Sequence, residues 1–425
     1  MTRRLSLPEK LIRLSLLGVA IAGVNQGFAQ QAEPQAVDES TVVYEAGFFT
    51  QYSPVSVNDM IDRIPGISLA LNGNRNNRGN SRGLGSGKGE ILINGQRTTG
   101  KNNEGRSQLS RIAADQVDYI EIIRGTSDDM DIRGGGQVVN VVLLDAQSRS
   151  SISAELNMDR LHDGTVDPGA KLSYTGQNGP FNYLFHIEAE PRYENRFTNE
   201  FSVDPDGELL ETRSQDNLRN QTEYETSFNL GYQFEKSMVQ FNGLFAENNP
   251  PTDITRTIND YTTGTLITTK EHENEIRERN NWEIGGDYEY SFDSGSKYRF
   301  LFIVNDRNFT YTRDRFDVFA DSEEKDLFLF SAGRDRERIG RTSYTFDLGS
   351  NQGMEIGFEG AQTIRDSDLR LGLPGTGITS VAHGGLVPQS VNNASSTVEE
   401  VRFENFAIHN WQINARMSLE SSLIY

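Results

Sequence analysis

From residue 151 onward, apolar and polar residues alternate along long stretches of the chain. In 224–234 the even positions hold Tyr, Thr, Phe, Leu, Tyr and Phe, whereas the odd positions hold Glu, Ser, Asn, Gly and Gln. The stretch 282–292 shows the same alternation, with Trp282, Ile284 and Tyr288 at even positions. A period of two places every apolar side chain on one face of a β-strand. The pattern therefore predicts long, two-faced strands.

These strands are longer than those of soluble globular proteins, which average about 5–6 residues. Successive turn signals divide the region 151–425 into about eleven strands. The predicted strands cover 151–159, 169–176, 181–203, 208–234, 237–260, 265–292, 297–319, 326–348, 353–366, 397–411 and 415–425. Short turns alternate with longer connections, and aromatic residues cluster at strand ends, as in outer-membrane barrels. The region therefore predicts an antiparallel membrane β-barrel, and a soluble β-sandwich is the alternative that the strand lengths disfavour.

Residues 41–145 lack this long alternation and instead show short helical and strand patterns, which predict a small α+β domain. A short helical pattern runs over 57–64 and stops at Pro65 and Gly66. The strand 90–93 leads into Asn94-Gly95, a strong signal for a hairpin turn. Two further strands are predicted at 117–124 and 138–144, and the Gly-, Asn- and Arg-rich stretch 72–89 is predicted to be loop.

The first 29 residues have the features of an export signal. Four basic residues fall within the first 13, and an apolar run follows from Leu14 to Val24. Small residues at Gly27 and Ala29 predict cleavage after Ala29. The alternative, a buried helix or membrane anchor, is disfavoured because this run is too short for a bilayer core of about 30 Å. Residues 30–40 are polar and predict a flexible tail.

Composition narrows the possible functions of the 425-residue chain. The formal net charge of −20 argues against a nucleic-acid partner. The chain has no cysteine, which excludes disulfides, cysteine-ligated metals and thiol catalysis. The five histidines lack metal-ligand spacing, and Gly83–Gly89 lacks the phosphate-loop pattern. We therefore expect no enzyme activity, no catalytic residue, no metal site and no cofactor.

Four motifs of the α+β region, in this order, resemble the plug domain of TonB-dependent outer-membrane receptors. They are Asn58–Ile67, then Arg82-Gly83 with Ile91–Gly95, then Ile120–Gly125, and finally Gly134–Leu144. The segment Thr126–Arg133 departs from the family pattern. The resemblance implies a plug at 41–145 and a location in the outer membrane of a Gram-negative bacterium. The barrel region resembles the family only in its pattern of long alternating strands.

The resemblance also implies a short energy-coupling segment, the TonB box, before the plug. The residues that fit it are Ser40, Thr41, Val42, Val43 and Tyr44. A β-branched strand after a flexible tail is suited to adding to the sheet edge of a partner protein. The alternative is that these residues form the first strand of the plug itself.

By the same resemblance, Arg82 and Arg124 tie the plug to the barrel wall. The alternative is that they are solvated surface arginines, whose ion pairs contribute about 0–1 kcal/mol. Two loops, 72–81 and 98–106, are expected to form plug apices that face a ligand, with flexible linker as the alternative. Their polar residues are Arg75, Asn76, Asn77, Arg78, Lys101, Asn102, Asn103 and Arg106.

A barrel that encloses a plug needs about 22 strands, whereas about eleven are predicted here. We therefore expect the sequence to be the N-terminal part of a receptor, and a small complete barrel is the alternative. The implied function is energy-coupled uptake of a scarce nutrient, first an iron–siderophore complex, otherwise a vitamin or oligosaccharide. The implied partners are a TonB-type inner-membrane energy-coupling complex and outer-membrane lipid. A passive porin or adhesin-like barrel and a non-functional receptor fragment are the alternatives.

Overall fold

The structure, a computed structural model, describes most of the chain as two β-sheets. The described residues are 35–36, 41–65, 67, 90–97, 109–124, 137–144, 148–161, 163–349, 351–414 and 417–425. The predicted signal peptide 1–29 lies outside them, as does most of the predicted tail 30–40. A six-stranded sheet ends at residue 143, and a thirteen-stranded sheet begins at residue 148. None of the helices in the described part has the length and hydrophobicity needed to cross a membrane.

The six-stranded sheet and its helices form a small α+β domain, as predicted. Its strands are ordered β1-β2-β5-β6-β3-β4, and only the β3–β6 pair is parallel. The strands are β1 (Gln35–Ala36), β2 (Thr41–Glu45), β3 (Glu90–Ile93), β4 (Gln96–Arg97), β5 (Val117–Arg124) and β6 (Gln137–Leu143). The helices are α1 (Ala46–Phe49) and α2 (Val57–Ile61), with 3-10 turns at Thr50–Tyr52 and Ala114–Gln116.

Two local signals in the sequence shape this domain. Helix α2 begins with a capping box, in which the Ser56 hydroxyl accepts a bond from the Asp59 amide and the Asp59 carboxylate accepts one from the Ser56 amide. The β3–β4 turn has positive φ at Asn94 (52°) and Gly95 (75°), the geometry of the predicted Asn-Gly hairpin. The helix is shorter than predicted: it ends at Ile61, whereas the sequence pattern ran to residue 64.

One apolar cluster holds the small domain together. Phe49 and Met60 from the helical segments pack with Ile120 and Val141 from β5 and β6, and all four are almost fully buried. Leu184, which belongs to the large sheet, is part of the same cluster. The small domain therefore packs directly against the large sheet.

The large sheet is antiparallel throughout and contains every strand predicted for 151–425. Its main path runs in chain order from β7 to β19, and no described pairing joins those two strands. The strands are β7 (Ser148–Arg160), β8 (Val166–Asn178), β9 (Phe181–Val203), β10 (Leu209–Gln233), β11 (Ser237–Asn248), β12 (Pro251–Asp260), β13 (Ile267–Ser291), β14 (Lys297–Val318), β15 (Glu323–Gly349), β16 (Gln352–Leu373), β17 (Val387–Gln389), β18 (Ser395–Asn414) and β19 (Met417–Ile424).

Most strand boundaries lie within about three residues of the prediction, and two strands differ more. The predicted strand 237–260 is interrupted at Asn249 and Pro250, so that β11 and β12 pair separately with β10 and β13. Proline has no backbone N–H to donate and interrupts a ladder of hydrogen bonds. Strand β16 extends to Leu373, beyond the predicted end at residue 366, and part of the connection between the predicted strands 353–366 and 397–411 pairs with it as β17.

The two faces of the large sheet have the reverse of the polarity found in a soluble protein. On β13, Glu283 (0% exposed) and Asp287 (3%) are buried, whereas Ile284 and Tyr288, on the opposite face, are each 37% exposed. The same division holds on β10, where Ser227 is buried and Tyr224 is exposed. We name these the polar face and the apolar face. An exposed apolar face with a buried polar face is the arrangement of a sheet that meets lipid.

Close packing on the polar face gives a stability prediction at Gly357. A methyl group there would overlap the Phe406 ring and lie 2.5 Å from the Thr342 carbonyl oxygen. The Arg341 guanidinium lies 3.9 Å from the centre of the same ring and restricts its movement. We expect Gly357→Ala to lower the free energy of unfolding by about 1–3 kcal/mol.

Urea unfolding of the full chain in detergent measures this effect. The matched control is Gly340→Ala, because a methyl group at Gly340 meets no atom within 4 Å. That substitution should change the free energy of unfolding by less than about 0.5 kcal/mol. Equal effects of the two substitutions would show that the packing around Phe406 is looser than described.

Candidate functional site: the seam between the small domain and the large sheet

The contact surface between the small domain and the polar face, here named the seam, is centred on a buried ion pair. Arg111 is only 3% exposed, and its guanidinium donates a hydrogen bond to the Glu225 carboxylate on β10. The segment that carries Arg111 is tied to the start of α2, because Val57 donates to the Ile112 carbonyl (3.0 Å) and Ala114 donates to the Val55 carbonyl (2.9 Å). The fold of the small domain thus presents Arg111 to the sheet.

The electrostatics of this pair follow from its burial. Burial lowers the pKa of Arg111 below its ordinary value, and the charge and hydrogen bond of Glu225, together with the charge of Glu188, oppose that shift. An arginine stays protonated at any physiological pH. The seam therefore holds a permanent positive charge, which the carboxylates of Glu225 and Glu188 on the sheet compensate.

A second polar contact reinforces the seam. The side chain of Gln116 donates to the Thr175 carbonyl on β8 at 3.1 Å, and the Thr175 hydroxyl donates back to the Gln116 side-chain oxygen at 3.1 Å. Both residues are buried. Paired in this way, the two side chains fix the register of the small domain against β8.

Behind the seam, the sheet carries a chain of buried and half-buried polar residues that the sequence did not bring together. Ser173 and the His186 ring lie 2.8 Å apart, and the other ring nitrogen of His186 lies 3.2 Å from Glu188. Lys171 pairs with Glu188 at 3.2 Å. These residues link β8 to β9, and Glu188 also interacts electrostatically with Arg111. Their alternate positions on the polar face are the only sequence signal that could have grouped them.

Farther from the short turns, beyond the lipid-facing apolar stretch 282–291 of β13, the polar face carries a network of arginines and carboxylates. The Glu273 side chain is only 1% exposed and accepts hydrogen bonds from Arg256 (2.7 Å) and Arg313 (2.8 Å). On the same face, the Tyr311 hydroxyl donates to the Glu275 carboxylate at 2.5 Å. This network connects β12, β13 and β14 through their side chains.

The network shifts the ionisation of its members. Burial raises the pKa of Glu273, but the hydrogen bonds and charges of Arg313 and Arg256 outweigh it, so that the pKa lies below its ordinary value. Burial and the hydrogen bond to Glu275 raise the pKa of Tyr311 to about 12. At neutral pH the network therefore holds an ionised Glu273 and a neutral Tyr311.

A histidine near the ends of these strands gives a pH prediction. His272 lies 2.8 Å from Asp253 and 3.4 Å from Glu323. The hydrogen bond to Asp253 is the largest influence and raises the pKa of His272 above its ordinary value of 6.5, while partial burial opposes it. A raised folded-state pKa contributes stability that is present below about pH 6.5 and is lost as the pH rises through the folded pKa.

We therefore expect the backbone amides around Asp253, His272 and Glu323 to exchange more slowly at pH 6 than at pH 8.5, after correction for intrinsic exchange. Hydrogen exchange with mass spectrometry on the wild-type chain and on His272→Gln measures the difference. The substituted chain should lose the extra protection at pH 6. An unchanged pH dependence in that variant would assign the effect to other groups.

The structure places only some of the predicted site residues. Thr41 to Tyr44 lie in β2, paired with β5, and Val43 and Tyr44 are buried. This arrangement matches the alternative in which they form a strand of the small domain. Arg124 ends β5, where its backbone pairs with Gln137. Ser40, Arg82 and all the predicted apex residues lie outside the described residues, namely Arg75, Asn76, Asn77, Arg78, Lys101, Asn102, Asn103 and Arg106.

The described ion pair of the seam therefore uses Arg111, which the sequence analysis did not select. Within the described residues, no group of three or more His, Asp or Glu side chains could hold a metal ion. Among the described residues, the site consists of polar and apolar contacts that attach the small domain to the large sheet.

Comparisons with known proteins give the following matches. Residues 33–139 match the family model described as the TonB-dependent Receptor Plug Domain. No curated protein matches the chain. Among solved structures, the chain is similar to the ferric yersiniabactin uptake receptor FyuA from Yersinia pestis, with 9% identity and a TM-score of 0.35, over 90% of this chain and 63% of that one.

Two other solved structures show similar values. The copper transporter OprC has 11% identity and a TM-score of 0.31, over 93% of this chain and 63% of its own. The unliganded ferric citrate transporter FecA has 11% identity and a TM-score of 0.30, over 93% of this chain and 62% of its own. The chain thus spans less than two thirds of the length of each of these three proteins.

Proposed function

We propose, from the premise that this chain is a TonB-dependent receptor of the Gram-negative outer membrane, that it takes up a scarce small molecule in an energy-coupled step. In this proposal the small domain is the plug, and the large sheet forms the membrane wall around it. The family resemblance puts an iron–siderophore complex first among the substrates, ahead of a vitamin or an oligosaccharide.

The observation that carries the proposal is the position of the small domain on the polar face of the sheet. Its core includes Leu184 of the sheet, and its buried Arg111 is paired with Glu225. The opposite face exposes Phe185, Ile187 and other large apolar side chains. Lipid on one face and a plug on the other account for both observations, whereas a soluble sheet would bury its apolar face.

We propose that ligand binding weakens the seam and that the coupling complex then pulls the plug. The plug is held by the Arg111–Glu225 pair and by the reciprocal bonds of Gln116 and Thr175. A path past the plug requires these contacts to separate. The energy-coupling complex supplies the work, because separating the pair leaves the buried Arg111 charge without its partner, which is unfavourable.

Residues 40–44 remain the proposed coupling segment. Because Val42 and its neighbours pair with β5, the segment has to leave that strand before it can add to the sheet edge of TonB. Deleting the segment would remove a strand of the small domain and would confound the result. A peptide of residues 30–45 avoids this problem.

We expect that peptide to bind the purified periplasmic domain of TonB, measured by isothermal titration calorimetry. The control is the same peptide with Val42→Pro, which removes a backbone N–H and interrupts strand pairing. The proline peptide should bind at least about tenfold more weakly. Equal binding of the two peptides would place the coupling segment elsewhere.

The uptake proposal is tested in cells that lack their own receptors, with and without TonB. The full chain is expressed, and uptake of labelled ferric siderophores, cobalamin and maltooligosaccharides is measured. We expect one class to accumulate only in cells that contain TonB. Uptake that is equal in both strains would support the passive-porin alternative, and no uptake of any class would support the non-functional fragment.

A further inference from the structure

The half of strand β9 that lies far from the short turns has one edge without a paired strand among the described residues. Strand β8 pairs with β9 only over 181–189, whereas β9 continues to Val203 and stays paired with β10 on its other side. The connection between β7 and β8 reaches as far as Asn195, whose side chain donates to Asp163 at 3.4 Å. We name the remaining segment, 196–203, the outer edge.

The backbone of the outer edge directs hydrogen-bonding groups away from the sheet. In an antiparallel ladder, successive residues direct their N–H and C=O groups alternately to the two neighbouring strands. Even-numbered positions face β10, because the Gln233 amide donates to the Pro180 carbonyl and the β9–β10 register has no shift from residue 181 to residue 202. Phe197, Asn199 and Phe201 therefore present both backbone groups at the outer edge. The backbone of an added strand matches such a row of donors and acceptors.

Large apolar side chains are exposed along the same segment. Phe197, Phe201 and Val203 are 65%, 70% and 56% exposed, and they continue the apolar face beyond the membrane. Phe197 lies 16 positions beyond Phe181. At the usual strand tilt this is a height of about 40 Å, whereas the apolar band of an outer-membrane barrel is about 25 Å tall. Membrane hydrocarbon therefore does not cover these side chains.

The sequence of the outer edge lacks the common protection against strand addition. Proteins often block an open edge with proline or lysine, and the segment 196–203 contains neither. Proline occurs earlier on the same edge, at Pro191, beside the point where pairing with β8 stops. The unprotected part of the strand is thus the part that also exposes the aromatic side chains.

The charges around the outer edge indicate which strand fits it. The β9–β10 connection 204–208 carries three carboxylates and no basic residue. Glu200 is 62% exposed in its side chain, and the charge of Arg196 is paired with Glu194. A strand added here meets mainly negative charge at the end near residue 204. Basic residues at that end of the partner complement it.

We propose that the outer edge binds an extended segment of another polypeptide outside the cell, which adds a strand to the sheet. The partner has apolar residues at alternate positions, which cover Phe197 and Phe201, and basic residues beside the connection 204–208. A second copy of this chain fits less well, because it brings the same carboxylates to the interface. The site lies on the outside of the wall, and it does not rest on the uptake proposal.

A synthetic peptide that alternates valine and threonine between terminal lysines is the probe. Its binding to the purified full-length chain in detergent micelles is measured by fluorescence anisotropy. The control peptide has the same sequence with every second backbone amide methylated, which blocks strand pairing. We expect the control to bind at least about tenfold more weakly. Hydrogen exchange should show that the probe slows exchange of the amides at 197, 199 and 201 and leaves β13 unaffected.

Asn199→Pro tests the location of binding. It removes one N–H from the outer edge and none that bonds to β10, and proline is tolerated on strand edges. We expect the probe to bind this variant at least about tenfold more weakly. Unchanged hydrogen-exchange protection of β10 shows that the variant has folded.

A second variant, Phe197→Ser with Phe201→Ser, removes the exposed aromatic surface without changing the backbone, and it keeps the test decisive where Asn199→Pro does not fold. It should also weaken probe binding. The matched control is Val381→Ser, which removes another exposed apolar side chain (96%) in a different connection and should leave binding unchanged.

Four results overturn the proposal. They are absence of probe binding to the wild-type chain, equal binding of the methylated peptide, full binding by the folded variants, and dimers of the chain alone that the double serine variant abolishes. The last result would assign the outer edge to a second copy. TonB-dependent uptake is measured separately in cells, so a failure here leaves the proposed function standing.

Discussion

Replacing Arg111 with methionine is expected to lower the free energy of opening of the small domain by about 3–5 kcal/mol. The substitution keeps much of the side-chain volume but leaves the Glu225 carboxylate without the guanidinium that compensates it. Glu225 is itself only 26% exposed in its side chain, so water replaces the lost partner incompletely. Hydrogen exchange at the amides of β5 measures the opening free energy in the full chain.

Arg365→Met is the matched control for this prediction. Arg365 pairs with Asp335 at 3.6 Å but is 57% exposed, and such surface pairs contribute about 0–1 kcal/mol. A chain with Arg111→Glu and Glu225→Arg together should recover part of the stability, because the two charges are exchanged. If the β5 amides were as well protected from exchange in the Arg111→Met variant as in the wild-type chain, the seam would not depend on this ion pair.

Replacing Glu273 with glutamine is expected to destabilise the strands around it by about 3–5 kcal/mol. Glutamine keeps the shape but removes the charge that compensates Arg256 and Arg313. Hydrogen exchange of β12, β13 and β14 measures the loss of stability. The control is Glu278→Gln, since Glu278 lies on the same strand, is exposed and accepts a bond from Thr310. Equal protection in the two variants would contradict the prediction.

The same site gives an acid dependence with a definite sign. The pKa of Glu273 in the folded chain lies below its ordinary value of 4.5, owing to the bonds from Arg313 and Arg256 that exceed the effect of burial. A depressed folded-state pKa contributes stability that is present above about pH 4.5 and is lost as the pH falls through the folded pKa. Wild-type protection of β13 should therefore decline in acid, and Glu273→Gln should flatten that decline.

Local patterns were sufficient to predict the strands of the large sheet. The alternation in 224–234 depends only on neighbouring residues, and it fixes which side chains share a face once the strand forms. The structure confirms this division, with Glu225 on the polar face and Tyr224 on the apolar face. The interruption at Pro250 was missed because the predicted strand was drawn from one turn signal to the next.

The seam was harder to predict, since it depends on contacts between distant parts of the chain. Arg111 and Glu225 are separated by 114 positions, and neither lies in a motif that distinguishes it from other charged residues. The family motifs directed attention to Arg82 and Arg124 instead. A single sequence carries no information on which arginine meets which carboxylate, because pairing depends on how two domains pack.

The pairing partner of the segment 41–44 also could not be predicted from the local sequence. Its β-branched residues predict an extended strand, and the structure describes one, β2. The choice of partner for that strand is not a local property. In the structure its partner is β5, and in the proposed function the partner during coupling is TonB.

The proposed function requires lipid at the apolar face of the large sheet and the plug at its polar face. Because the chain has no cysteine, single cysteines can be introduced at each position of 224–233 and spin-labelled in isolated outer membranes. We predict that labels at even positions collide with oxygen dissolved in the lipid, and that labels at 225, 227 and 229 are protected from it. Lipid exposure of labels at the odd positions, or no alternation along the strand, would contradict the proposed function.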